Sequence, residues 1–309
     1  MLTVLYLLAV FLVSFIISAN NSANSVGTLY GSHITSYKKA AIYAGLFVFI
    51  GVMLEGRKMS GTIGGGIVYQ SLTFEMAIMV LFSTFILMLL FTYLSMPLSA
   101  SQIIVGSVLG VAFSFGWLIH ATFLEMIILS WFLTILFSSI LAFVIYNLIA
   151  LLARKLRFFA LSKFYTVSIF VGSAFLAYTL GANTIGLVAS LTPSLPSLLI
   201  AGIASFAGTI LMGRKTVRTV GRKIILLDPP RAFAAQISGA LIVEIFTQLH
   251  LPVPITQAVI GGIIGTGFVK GRSEINRDTI KHLVISWSLA PLLAFLLTSA
   301  IIKVSSLLL

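Results

Sequence analysis

Apolar runs long enough to cross a bilayer fill this chain, and the polar positions between them fall in short clusters rather than at a regular period. The run from Met1 to Ile17 carries no charge, and after Lys39 the chain is apolar again through Leu54. A spanning helix takes roughly 20 apolar residues, so 309 residues leave room for about ten such helices and for no sizeable domain outside the bilayer. The pattern predicts an all-α polytopic membrane protein. One cluster stands out: residues 18 to 25 read Ser-Ala-Asn-Asn-Ser-Ala-Asn-Ser, with Gly27 just behind. Unpaired asparagine amides are costly in hydrocarbon. The cluster is therefore expected to leave the helix and line a cavity or an ion site, because irregular backbone at membrane depth is tolerated only where it faces protein or water.

The pattern is written twice. Ala19-Asn20 returns as Ala182-Asn183, and Gly56-Arg57-Lys58 as Gly213-Arg214-Lys215. Pro97 to Gly110, with Ser101-Gln102 and Gly106, is echoed by Pro252 to Gly265, with Thr256-Gln257 and Gly261. Ile128 to Leu133, containing Ser130-Trp131, matches Val284 to Leu289, containing Ser286-Trp287. Four landmarks in one order, at offsets of roughly 155 to 163 residues, make two copies of one unit.

Composition narrows the class. With 59% hydrophobic and 8% charged residues and a mean hydropathy of +1.14, this is no soluble domain, in which about a quarter of residues are charged. A net charge of +12 would suggest nucleic acid in a soluble chain, but in a membrane protein Lys and Arg collect on cytoplasmic loops and fix orientation. No nucleic-acid partner is expected. The absence of cysteine excludes disulfides and thiolate metal sites. The amino-terminal run has no basic residue before Lys38 and reads as a retained helix rather than a signal peptide.

The charges also predict topology. Arg154 to Lys163 joins the two units. Placed in the cytoplasm with Lys38, Lys39, the basic residues from Arg214 to Lys223, and Lys270, Arg272, Arg277 and Lys281, it leaves both termini outside the cell membrane. The units are then two inverted-topology repeats, residues 1–152 and 164–309, joined by a cytoplasmic linker at 153–163. Each crosses an odd number of times, about five by the length of a spanning helix. Inversion puts Arg57 and Lys58 on the outer face. Such Gly-Arg-Lys turns read either as helix C-caps with snorkelling cations or as a vestibule that gathers anions.

Candidate chemistry sits at the repeated prolines. A proline breaks an apolar helix, and the hydroxyl residues behind Pro97 and Pro252 suit the first turn of a new one, whether it spans or re-enters as a hairpin. The free N–H groups and positive dipole end of that turn attract an anion. Alone, each copy reads as a kink whose hydroxyls satisfy freed carbonyls. Recurrence, together with the recurrent Ala-Asn break, points instead to two half-helix N-termini cradling one small anion. Ser99, Ser101, Gln102, Thr256 and Gln257 are the expected substrate residues. Asn20, Asn21, Asn24, Asn183 and Thr184 are expected to shape the cavity or a cation site, with sodium at Asn20 and Asn183. Glu244, inside an apolar run, is a candidate coupling or gating carboxylate. Arg231 is either its distant counterpart or a substrate contact. No metal-ligand spacing, nucleophile elbow or P-loop occurs, and no enzyme is expected.

These motifs resemble the inorganic phosphate transporter (PiT) family over essentially the whole chain. That family carries a twice-occurring Gly-Ala-Asn-Asp-Val-Ala-Asn-Ala signature, matched by Ser18 to Ser25 and more loosely by Gly181 to Val188. Its Pro-Val-Ser-Thr-Thr-His stretch is matched by Pro97 to Gln102 and Pro252 to Gln257, and Pro230 to Ala235 is similar to its Pro-Ser-Arg-Gly-Phe-Ala-Ala. The departures are systematic. The signature Asp is Asn21 in one copy and Thr184 in the other, the later Asn is Asn24 and Leu187, and both histidines are glutamine. The resemblance implies sodium and phosphate handling at the Asp positions, and the sulfate-permease branch of the family similarly lacks them. Hydrogen phosphate carries a proton that a carboxylate can accept, whereas sulfate carries none and a carboxylate would repel it.

The expectation is a secondary active transporter, or symporter, of a tetrahedral inorganic oxyanion, coupled to protons or sodium and using no cofactor. Sulfate is preferred and sodium-dependent phosphate transport is the alternative; an anion channel or a structural membrane subunit are the rival classes. The expected partners are the oxyanion, the lipid bilayer and, in a homodimer, a second copy of the chain.

Overall fold

A computed structural model of the chain describes residues 1–32, 34–63, 65–93, 99–214, 216–217, 228–270 and 277–308. Pro97 and Leu98, the basic residues at 215, 218, 222 and 223, and Arg272 lie outside the described residues. The described chain is helical. The first unit holds α1 (Leu2–Gly31), α2 (Tyr37–Glu55, extended by single turns to Ile63), α3 (Phe74–Tyr93), α4 (Ala100–Ser114) and α5 (Ala121–Ala153). The second holds α6 (Phe158–Thr179, extended through Leu180–Ile185 and Gly186–Ala189), α7 (Leu195–Leu211), α8 (Pro229–Gln248), α9 (Ile255–Lys270) and α10 (Arg277–Leu308). The two units thus list the same elements in the same order.

Six segments among the described residues are long and apolar enough to cross a membrane: α1, extended α2, α3, α5, extended α6, and Ile285–Leu307 of α10. The 15 residues of α4 rise only about 22 Å, short of a hydrocarbon layer of roughly 30 Å. Its counterpart α9, with 16 residues, is similarly short.

Among the described residues the interior mixes many hydroxyl and amide side chains with its apolar core, and the outer surface is apolar. Ser14, Ser18, Ser83, Thr84, Ser130, Thr134 and Ser138 are buried, while Phe132, Leu148, Phe158 and Phe159 stand exposed. In lipid nothing drives leucine inward, so close backbone packing and internal hydrogen bonds hold the helices together.

Packing exchanges the units rather than setting them side by side. α1 lies on α7 while α6 lies on α2, and α4 lies on α10 while α9 lies on α5. The approaches are close enough to demand glycine. A Cβ on Gly106 would sit 2.2 Å from the Pro291 carbonyl oxygen, and one on the equivalent Gly261 would sit 2.5 Å from that of Ile135, the residue equivalent to Pro291. Gly51 against Tyr178 and Gly208 against Phe15 form a second exchanged pair, at 2.0 and 2.2 Å.

The polar cluster departs from expectation. α1 runs unbroken through residues 18 to 25. Its side chains bond back to the helix's own carbonyls, so the backbone need not open: Asn21 Nδ2 donates to Ile17 O at 3.0 Å and Ser22 Oγ to Ala19 O at 2.8 Å. Only the second copy deviates, with a π-helical turn at Leu180–Ile185 around Asn183, a form that concentrates at functional sites.

Gly106→Ala and Gly261→Ala are each expected to lower unfolding stability in detergent by about 2 kcal/mol through overpacking. Gly27→Ala, where an added Cβ meets nothing within 4 Å, is expected to be neutral or to gain about 0.5–1 kcal/mol of helix propensity. Thermal unfolding of the three variants checks the contrast.

Candidate functional site

The first turn of α9 reaches into the polar face of α1. Thr256 Oγ1 donates to Asn21 Oδ1 at 3.3 Å, and Asn24 Nδ2 donates to the same Asn21 oxygen at 3.3 Å and to Thr256 Oγ1 at 3.4 Å. The other copy makes the equivalent contact. Ser101, on the first turn of α4, lies 3.4 Å from Thr184 on the π turn of extended α6. Signature residue of one unit thus meets proline-motif residue of the other, twice. Two short helices of opposite units bring their positive N-terminal ends to one buried region.

Ser99 caps α4 as its place in the sequence predicted, its Oγ accepting from Gln102 N at 3.2 Å. Gln102 and Gln257 are each 3% exposed, and the side-chain carbonyl oxygen of each is buried with no hydrogen-bond partner among the described residues. Among the described residues the only buried charged side chain is Arg231. The region is therefore a set of neutral hydroxyls and amides.

Asn20 and Asn183 occupy equivalent places with unequal partners. Asn20 Nδ2 bonds Thr92 Oγ1 at 2.8 Å, and Asn183 Nδ2 makes the matching bond to Thr247 Oγ1 at 3.0 Å. Asn183 then adds Leu251 O at 3.1 Å, and its Oδ1 accepts from Val253 N at 3.1 Å. It holds the segment before α9 as well as facing the site.

The phosphate transporter family's sequence profile matches residues 17–298. The chain belongs to that family. A candidate phosphate permease of Methanocaldococcus jannaschii is 32% identical over 296 residues, covering 95% of this chain and 94% of that protein. The sulfate permease of Bacillus subtilis is 26% identical over 93% of this chain and 84% of its own length. A solved structure of a sodium-dependent phosphate transporter superposes over 100% of both chains with a TM-score of 0.88 at 24% identity, a likeness of fold. This family member is an integral multi-pass membrane transporter.

Glu244 and Arg231 of the transporter do not pair. Thirteen residues apart on α8, they stand about 20 Å apart along the axis. Arg231 Nε meets Asp228 Oδ2 at 3.1 Å, and Asp228 Oδ1 caps the helix start. At the other end, Gln248 Nε2 bridges Glu244 to Glu55, whose Oε2 lies 3.0 Å away, and Lys58 pairs with Glu55 at 3.3 Å. Lys58 and Arg214, one cation from each Gly-Arg-Lys turn, are engaged by Glu55 and by the Tyr37 ring. A cavity of about 590 Å³ lined by Tyr6, Ser60, Ser190 and Thr192 lies apart from the site. Tyr6 is fifteen residues, or about 22 Å of helix, before Asn21.

Sequence reasoning missed the residues that support the site. Gln236 Nε2 donates to Asn24 O at 3.0 Å and to Thr28 Oγ1 at 2.6 Å, and Ser173 Oγ donates to Ser25 O at 2.8 Å. Trp131 Nε1 donates to Pro252 O at 3.0 Å. The recurrence of Trp131 as Trp287 was the available signal. Asn183→Ala is expected to cost about 3 kcal/mol, because it strips partners from buried backbone groups, against about 1 kcal/mol for Asn20→Ala. Chemical or thermal unfolding in detergent separates the two; equal costs would mean that the extra Asn183 bonds carry no weight.

Proposed function

We propose that the protein is a secondary active transporter of inorganic phosphate. The observation that carries this is the phosphate transporter family match across residues 17–298, supported by relatives named for phosphate. The site chemistry agrees. The orphaned carbonyl oxygens of Gln102 and Gln257 are acceptors in search of a donor, and hydrogen phosphate brings an O–H where sulfate brings none. The proton that a signature carboxylate would take is offered to neutral amides instead. In this reading Ser99, Ser101, Gln102, Thr256 and Gln257, with the first-turn N–H groups of α4 and α9, hold the anion. Asn20, Asn21, Asn24, Asn183 and Thr184 shape its surroundings, with Asn20 and Asn183 as candidate sodium ligands. Inward movement of a dianion against an inside-negative potential costs about 2.3 kcal/mol per charge per 100 mV, so sodium or proton co-transport drives it. A second reading, sulfate transport, is favoured by the likeness to the Bacillus subtilis sulfate permease and by the lack of any buried carboxylate at the described site.

The units are proposed as inverted repeats, residues 1–152 and 164–309 about a cytoplasmic linker at 153–163, with both termini outside. Single cysteines at Leu2 and Leu308 of this cysteine-free chain should both react with an impermeant external thiol reagent; protection of either overturns the inversion.

Uptake of labelled phosphate into proteoliposomes under an imposed sodium or proton gradient is the functional test, with sulfate expected to compete weakly. Gln102→Leu with Gln257→Leu should narrow the preference for phosphate over sulfate by roughly tenfold, the worth of a lost buried acceptor. Gradient-driven sulfate uptake that phosphate fails to inhibit would establish the second reading instead.

A further inference from the structure

Residues 250–253, ahead of α9, form a strap that is buried from Leu251 onward. Its first two N–H groups donate back to Thr247 O and Phe246 O at the end of α8, and the rest of its backbone is held by side chains from other elements. The His250 carbonyl accepts from Thr62 Oγ1 at 2.7 Å, that of Leu251 from Asn183 Nδ2 at 3.1 Å, that of Pro252 from Trp131 Nε1 at 3.0 Å, and that of Val253 from Ser101 Oγ at 3.2 Å. Val253 N donates to Asn183 Oδ1 at 3.1 Å. Thr62 extends α2, Asn183 lies on the π turn, Trp131 on α5 and Ser101 on α4, so three helices of the first unit and one of the second grip one segment. At its head, His250 adopts a left-handed backbone with φ of 58°, and its Nδ1 lies 2.8 Å from Lys58 O. A non-glycine residue stays in that region when its surroundings over-determine it.

The strap is the sole covalent lead into the first turn of α9, which carries Thr256 and Gln257. The counterparts of Pro252 and Val253, Pro97 and Leu98, lie outside the described residues, whereas the counterparts of Ser101 and Trp131 lie within them. Thr256, counterpart of Ser101, is turned to Asn21 and Asn24. Trp287, counterpart of Trp131, is 5% exposed, and its indole nitrogen is buried with no hydrogen-bond partner among the described residues. Two tryptophans of equal size and similar burial thus differ in one bond.

We infer that Trp131 is a positioning residue which, with Thr62 and Asn183, clamps the 250–253 strap and so sets the substrate-facing turn of α9, and that release of this clamp is a step of the transport cycle rather than of anion binding. The inference rests on the transporter reading. Among the described residues the indole N–H is the one donor to the Pro252 carbonyl, so losing it leaves that carbonyl bare and favours the opened strap.

The test uses a single cysteine, Val253→Cys, fully buried in the strap, in the otherwise cysteine-free chain, labelled with N-ethylmaleimide in proteoliposomes. Trp131→Phe keeps the ring and removes the donor, and should speed labelling about tenfold. Trp287→Phe, with no bond to lose, should leave it unchanged. A cysteine at Ala112, buried on α4, should stay protected in both, which general loosening would not allow. In phosphate uptake, Trp131→Phe should alter the maximal rate and leave the half-saturating concentration within twofold of wild type. Wild-type labelling in Trp131→Phe, an equal rise in Trp287→Phe, or a rise at Ala112→Cys overturns the clamp. If Trp131→Phe fails to fold, Thr62→Val removes the neighbouring bond and is read the same way. Absence of phosphate uptake by the wild type would sink the transporter reading, while the labelling contrast would still decide the clamp.

Discussion

A polar group carried into hydrocarbon must find its partner within the protein, because no water is at hand to supply one. Much of the interior of this chain is arranged by that requirement, and the exceptions, such as the Gln102 and Gln257 carbonyl oxygens, stand out against it. Asn21 and Ser22 satisfy themselves on the preceding turn of α1, which lets a strongly polar stretch remain helical. Asn24 and Ser25 have their carbonyls covered by Gln236 and Ser173 from α8 and α6. Where the backbone does leave the helix, at 250–253, side chains of four other elements take over its hydrogen bonds. Lipid tails are as apolar as leucine, so these bonds and the glycine-lined approaches supply the specificity that a hydrophobic core supplies in water.

The exchange of helices between units gives the site its character. Gly106 and Gly261 let α4 and α9 lie against the last helix of the opposite unit, and each short helix then points its first turn at the signature segment of that unit. Neither unit could build the site alone, since Thr256 needs Asn21 and Ser101 needs Thr184. The result is a buried region with hydroxyls, amides and helix N-termini and, among the described residues, no carboxylate, in a family with relatives named for phosphate and for sulfate. Equivalent positions are nonetheless unequally used. Asn183 and Trp131 hold a strap, whereas Asn20 makes one bond and Trp287 none with the described residues.

Much of this was written in the chain. The apolar runs required a helical membrane protein, the four recurrent landmarks required two equivalent units, and Ser99 behind Pro97 predicted the start of α4. Those features are legible because they depend on local chemistry: hydropathy, the proline ring and the N-cap hydroxyl act within a few residues. The same local reasoning failed at residues 18 to 25, where amides that seemed to demand a broken helix found acceptors one turn back. It left Arg231 as either a distant counterpart of Glu244 or a substrate contact; the two sit at opposite ends of α8, each answered by a neighbour there. Composition and repetition therefore determined the class and pointed to two equivalent units. Tertiary structure alone decided which unit each helix packs against, which of two equivalent side chains carries the load, and where Gln236, Ser173 and Thr62 lend their donors, because those outcomes depend on distances between segments far apart in the chain.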